Sequence, residues 1–335
     1  MKICISRTDR MGDMILTLPV IKSIKLHNPE AKIHVLASRN NSKVLKKINY
    51  IDKVIIIDPN NDSILRSIFT LRKEKYNFFI NFSPGLRNLF LCIFSKSQNK
   101  ANLILLSRYK NNSFSKFFDR ILTNLFCNIK HIINRYERLK NGKELHQTKC
   151  MFSLINKCKI KCKQNIKIEI NTPSKKIFFS KKKIVLLHLS YKWINSKYSE
   201  DNLIELISLL NKKYFIIMTT EVTIKNVFKK IFKKYKIISS LNFKNLKLFK
   251  NNPIIFNQLE YSAWLKTIYS SSVVITPECG CTHISAACKI PVNIIYDSLN
   301  YPEAIHKEYK PWKSKYNKFI FGQKKLNYKI LSKIQ

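Results

Sequence analysis

Glycine is scarce in this chain, with five residues in 335, and the shortage excludes two common nucleotide sites. A dinucleotide-binding βαβ unit and a P-loop both need several glycines at fixed spacing, where backbone amides close on phosphate. Neither GxGxxG nor GxxxxGKS/T occurs. Acidic residues are few as well, 20 against 62 lysines and arginines. Arginine itself stops early, all ten lying at or before Arg138. Readers of duplex DNA draw on arginine forks to grip base edges, so a chain whose second half has none is not expected to bind nucleic acid as its main task. The nine cysteines form no CxxC pair; the nearest neighbours are Cys158 with Cys162 and Cys279 with Cys281. This argues against a zinc ribbon or a dithiol redox motif and suits free thiols in a reducing cytosol. No uncharged apolar run is long enough to cross a bilayer. The best candidate, YNFFINFSPGLRNLFLCIF (76–94), is interrupted by Asn81, Pro84, Gly85 and Arg87. The opening MKICISRTDR returns to charge at Arg7, unlike the apolar core of a signal peptide. A cytoplasmic protein, soluble or peripheral to a membrane, is expected.

What the chain has in quantity is length, apolar residues and positive charge. Its 335 residues exceed one comfortable core and suit two domains, and 45% hydrophobic residues can fill them. A net charge of +42 favours anionic partners, among them an acidic membrane surface and phosphorylated substrates. Lysine, isoleucine and asparagine dominate together, as biased coding would also produce.

Periodicity gives the architecture. KICIS (2–6), KIHVLAS (32–38), VIIID (54–58), FFINFS (78–83) and NLILLS (102–107) are continuous β-branched runs. Between them lie helical patterns, including MILTLPVIKSIKLH (14–27) and NSKVLKKINY (41–50). Such alternation predicts a parallel sheet covered on both faces. A basic, largely helical stretch leads to about Cys162, and KIEINTPSKKIFFSKKK (167–183) has the composition of a linker. From KIVLLHLS (183–190) the alternation restarts and runs through VNIIYD (292–297). The expected fold class is therefore α/β, with two Rossmann-like domains at 1–170 and 171–335, the second ending in a C-terminal tail. Open parallel sheets bind ligands beyond the carboxyl ends of their strands, so two such sheets facing across a cleft would place the site there.

Two loops stand out as carriers of chemistry. RTDRMGD (7–13) leaves the first strand: Gly12 permits a tight turn, and Asp13 suits the N-cap of the next helix. Pro19 is expected to kink that helix unless its regular part begins near Thr17. TPECGCTHISAAC (276–288) is again strand, turn and helix, with Gly280 at the turn and Thr282 as a credible N-cap. Free amides at such a helix start can hold a diphosphate. His283 suits either a buried structural role or donation to phosphate.

These residues resemble a known family. RTDRMGDMILTLPVIKSIKLHNPEAKIHVLAS is similar to the N-terminal signature of the lipopolysaccharide heptosyltransferases, inverting glycosyltransferases of family nine with the GT-B fold. TPECGCTHISAACKIPVNIIYD resembles that family's donor-site segment, HQTKCMFSLIN (146–156) its helix before the linker, and LHLSYKWINSKYSEDNLIELI (187–207) its loop with a lysine before an aromatic. The likeness runs in order from Met1 to about Trp312. It implies transfer of heptose from ADP-heptose to a lipid A or lipopolysaccharide inner-core acceptor at the inner face of the inner membrane, with no metal or other cofactor. It further implies Asp13 as general base and Lys197, Glu278, Cys279, Gly280, Cys281, Thr282 and His283 as the donor site, with Arg7 and Gly12 supporting the first loop. Lys192 competes with Lys197 for the diphosphate. The sequence departs from the family where Glu278 stands for an aspartate, where Cys279 stands for a hydroxyl residue, and where MTTEV (218–222) replaces a glycine-rich strand end. Those departures leave open a different nucleotide sugar and surface glycan, and because fold alone does not fix activity a basic binding protein on a GT-B shell stays open as well.

Overall fold

The β-branched runs become strands and the periodic segments between them helices in the computed structural model. It describes all residues except 59–62, 107–112, 144, 178–179, 181, 196–197, 222–223, 239–251, 300–301 and 335, and only the backbone at 113–116, 195 and 225. Contacts divide the chain into two units, Met1–Asn171 and Thr172–Gln335.

In the first unit six strands form one sheet: β1 (Lys2–Arg7), β2 (Lys32–Ser38), β3 (Lys53–Ile57), β4 (Phe78–Asn81), β5 (Asn99–Leu105) and β6 (Ile129–Ile133). Every pairing is parallel, in the order β3-β2-β1-β4-β5-β6. The chain winds outward from β1 to β3 and then returns to β4, so the order reverses between β1 and β4. The helices are α1 (Met11–His27), α2 (Ile64–Lys73), α3 (Leu86–Phe94), α4 (Ser113–Phe126), α5 (Arg135–Lys140) and α6 (Gln147–Lys157). Because α1 is largely apolar on all sides, it is buried on all sides from Met14 to Ile21. It begins at Met11 and passes through Pro19, whose ring removes one amide from the helix ladder. Thr148 of α6 donates its hydroxyl to Leu16 O one turn earlier (2.9 Å).

The second unit carries β7 (Ile184–Leu189), β8 (Phe215–Thr220), β9 (Lys236–Ile238), β10 (Ile254–Phe256), β11 (Val273–Pro277), β12 (Val292–Tyr296) and β13 (Asn317–Ile320). They too are parallel, in the order β13-β12-β11-β7-β8-β10-β9, and the order reverses between β7 and β11. Around them lie α7 (Lys192–Asn195), α8 (Glu200–Asn211), α9 (Lys229–Lys234), α10 (Tyr261–Ser270), α11 (Gly280–Ala287), α12 (Pro302–Tyr309) and α13 (Leu326–Leu331). Phe319, Phe321, Leu326, Ile330 and Ile334 join the core built on β7 and β8, so the expected tail is an integral layer of this unit.

Three local expectations change. Residues 41–50 hold only a short 3-10 turn, Asn41–Leu45, because the backbone becomes extended at Lys46 and left-handed at Lys47 (φ 61°). VTIKNVFKKIFKKY (222–235), whose period predicts one helix, holds a 3-10 turn at Ile224–Asn226 and then the shorter α9. β6 is an edge strand, paired only with β5 and half-buried, which explains why Lys130 and His131 interrupt its apolar pattern.

Candidate active site

In the first unit, β1 delivers Arg7 to the point where the strand order reverses. Arg7 is fully buried. Its guanidinium donates to Asp13 Oδ1 (2.6 Å) and to Phe82 O just beyond β4, and its Nε lies 2.9 Å from Asp9 Oδ1. A buried cation is tolerated only when charge and hydrogen bonds surround it, and this one is surrounded by the loop's own acids. Asp13 is therefore not the N-cap of α1. Arg10 occupies that position without a capping side chain, and Asp13 sits in the first helical turn, 7% exposed. The turn off β1 is made before the helix, so Gly12 is a buried helical residue with ordinary φ and not the turn glycine.

The neighbouring strand ends brace this loop. Asn41, fully buried, donates to Arg7 O (2.9 Å) and Asp9 O (3.2 Å) and accepts the Ser38 amide (2.9 Å). Ser83 Oγ accepts the Thr8 amide (2.6 Å), and the Thr8 hydroxyl donates to Asn88 Oδ1 (2.8 Å). None of these polar residues was singled out by sequence, since each is one asparagine or serine among many. The result is a carboxylate fixed at the carboxyl end of a central strand, where α/β sheets present ligands.

In the second unit, the carboxyl ends of β7, β8 and β11 lie side by side and bring together His188, Glu221, Glu278 and Cys279. Cys279 is the N-cap of α11. Thr282, expected to cap, stands three residues later because the helix starts at Gly280; its Oγ1 accepts the Cys279 amide (3.3 Å), and its own amide donates to Cys279 O (3.1 Å). The Cys281 side chain is fully buried, so only its backbone can meet a ligand. Lys192 ion-pairs with Glu278 Oε2 (2.8 Å) and also donates to Glu278 O. Trp193, fully buried, anchors that lysine's loop by donating Nε1 to His188 O (2.9 Å). His283 is buried with Nε2 3.9 Å from Glu278 Oε1. Lys197 lies outside the described residues.

Burial governs the titrations here. The Cys279 thiol is pushed up to about 11, and the His188 imidazole is lowered to about 4. His188 holds Thr219 Oγ1 through Nδ1 (2.9 Å), and its other face lies near Glu221 (4.0 Å). His188, Glu221 and Cys279 have ligand atoms within 4.8 Å of one another, so a borderline-soft cation would find a nitrogen, an oxygen and a sulfur there. The lowered imidazole sets a pH dependence. Below pH 6.5 the unfolded chain takes the proton before the folded one does, so this stability is complete above 6.5 and is lost as pH falls toward 4. For a shift of this size the loss approaches about 3 kcal/mol. His131 and His306, also lowered to about 4 by burial, act in the same direction. Asp119, raised to about 6 by burial, opposes them. Melting temperature should accordingly drop between pH 7 and pH 5, and His188→Gln should flatten that drop. An unchanged slope in the variant would exclude His188 as a source.

No protein-family model matches the chain, and no curated protein matches its sequence. Solved structures do match over its full length. A family 9 glycosyltransferase from Veillonella parvula aligns with 100% of this chain and 90% of its own, at 13% identity and a TM-score of 0.72. The chain has the GT-B fold. The E. coli heptosyltransferase WaaC with ADP shares that GT-B fold at 14% identity and a TM-score of 0.70, with 100% of both chains covered. E. coli ADP-heptose lipopolysaccharide heptosyltransferase II gives 11% identity, a TM-score of 0.72, and coverage of 99% of this chain and 97% of its own.

Proposed function

We propose that the chain is an inverting glycosyltransferase that moves a sugar from a nucleotide diphosphate to a hydroxyl of an anionic, lipid-borne acceptor. The observation that carries the reading is a buried carboxylate, Asp13, fixed at the carboxyl end of β1 in a GT-B chain. Asp13 removes the acceptor proton as the hydroxyl attacks the anomeric carbon from the face opposite the diphosphate. The amides that open α11 and the ammonium of Lys192 or Lys197 take up charge on the leaving group. Arg7 positions Asp13. WaaC has been solved with ADP and with ADP-2-deoxy-2-fluoro heptose, which supports an ADP-sugar, and ADP-heptose in particular, as donor. Lipid A or the lipopolysaccharide inner core is the matching acceptor, and the lysine excess would draw the enzyme to an anionic membrane face.

A panel of ADP-, UDP- and GDP-sugars read by thermal shift tests this. A ligand at 100 times its Kd stabilises by about 2.7 kcal/mol, which is several degrees here. ADP-sugars are expected to give that shift and the others much less. Glu278 and Cys279, standing for the family's aspartate and hydroxyl residue, support a second reading in which the sugar differs. A preference for UDP- or GDP-sugars would select it. Silence toward every nucleotide would leave only a binding protein on this fold.

A further inference from the structure

Helix α4 is built inside out. Among its described residues Asp119 and Thr123 are buried and Leu122 packs partly against the core, whereas Phe117 and Leu125 are 61% and 70% exposed, with Phe118, Ile121 and Phe126 exposed beside them. A helix on a water-facing surface turns the opposite way. The inward polar face has an internal reason: Asn102 Nδ2 donates to Thr123 Oγ1 (2.7 Å), Thr123 Oγ1 lies 3.5 Å from Asp119 Oδ1, and Asn81 Nδ2 donates to Asn102 Oδ1 (2.9 Å). Asn81 Nδ2 also donates to Ser83 O, so this buried chain reaches the loop that braces Thr8. On the outward apolar face the Phe117 and Phe118 rings meet edge to face (centroids 6.3 Å apart). That face continues on the adjoining helices, where α2 exposes Leu65 and Phe69 and α3 exposes Phe94, and α3 packs against both α2 and α4.

The rim of this face is basic. Among the described side chains from Ser63 to Phe126 the acids are Glu74 and Asp119, against eight lysines and arginines. Glu74 is ion-paired with Lys2 and Lys53, and Asp119 is buried. At the end of α2 a cavity of about 500 Å³ is lined by Phe69, Arg72, Lys73, Lys75 and Lys96 among others. Scattered exposed apolar residues need no explanation, but three adjoining helices presenting large ones within a cationic rim mark an interaction site. The charge decides the occupant. A second copy would bring the same excess of positive charge against its own, whereas an anionic bilayer supplies both the apolar depth and the opposite charge.

We propose that the outer face of α2, α3 and α4 docks on an anionic membrane, setting Phe117, Ile121 and Leu125 among the acyl chains while Lys73, Lys75 and Lys96 meet lipid phosphates. This deepens the reading of a lipid-borne acceptor and rests on that reading for its purpose.

Flotation with vesicles of phosphatidylcholine, alone or with 30% phosphatidylglycerol, tests it on the full chain. The wild type should float with the anionic vesicles and keep part of that binding in 1 M NaCl, where the Debye length is about 3 Å and only the apolar contribution survives. The triple variant Phe117→Ser, Ile121→Ser, Leu125→Ser should bind at least tenfold less. Its melting temperature and its ADP-induced thermal shift should match wild type, which separates failure of docking from failure of the donor reading. Wild-type flotation by the triple variant would overturn the proposal, as would complete loss of wild-type binding in 1 M NaCl. So would a wild-type dimer, formed without vesicles, that the substitutions dissolve. Should the triple variant misfold, Leu125→Trp serves instead: its added emission should be quenched by brominated lipid, and no quenching overturns the proposal equally.

Discussion

Asp13→Asn should lower turnover by about 10²-fold or more while leaving nucleotide affinity nearly unchanged. The amide keeps the side chain's shape and an oxygen for Arg7 but cannot accept the acceptor's proton. It also removes half of a buried ion pair, because Arg7 is fully buried and donates to Asp13 at 2.6 Å. Breaking such a pair costs about 3 to 5 kcal/mol when nothing else compensates. Asp9 and Phe82 O remain beside the guanidinium, so a loss at or below the low end of that range is expected. Turnover must then be measured well below the variant's melting temperature. Asp9→Asn is the control, since it weakens the same buried cation without touching the proposed base. The expected contrast is lower stability in both variants and lost turnover only at position 13. If Asp13→Asn turns over like wild type, Asp13 serves the fold by neutralising Arg7, and the base lies elsewhere.

That dual role was only partly legible. The alternation of β-branched runs and helical patterns was enough to read two α/β units, because parallel strands buried on both faces leave an unbroken apolar signature. β6 escaped notice because an edge strand is only half covered and admits Lys130 and His131. The capping assignments failed for a different reason. Asp13 and Thr282 are good N-cap residues by type, yet the two helices begin earlier, after Arg10 and Cys279, and each side chain instead occupies the first turn. Spacing in one dimension does not reveal that Arg7 is buried and needs Asp13. Nor does it reveal that Asn41 and Ser83, far apart in sequence, meet the same loop. The Lys192–Glu278 pair shows the same limit, for its partners are 86 residues apart.

Gly280→Val should weaken nucleotide-sugar binding by at least tenfold with little change in melting temperature. Gly280 is the first residue of α11, partly exposed and with ordinary helical φ, so valine fits the backbone there. The opening amides of a helix have no carbonyl four residues back to accept them. Thr282's amide goes to Cys279 O, and Cys279's goes to the Thr282 hydroxyl. The amides of Gly280 and Cys281 are then the ones placed to receive an anion. An isopropyl group at position 280 would stand over both and hold a phosphate oxygen beyond hydrogen-bond distance. Gly280→Ala, with one methyl, should fall between wild type and valine. Lys192→Ala is expected to weaken donor binding through a different route, by removing a cation and leaving Glu278 to repel the diphosphate. Glu278→Gln in that background should recover part of the loss. Titrating ADP and an ADP-sugar into each variant reads these effects directly. Valine at 280 with wild-type affinity would take the α11 turn out of the donor site, and Lys192 would then remain as the cation to follow toward the diphosphate.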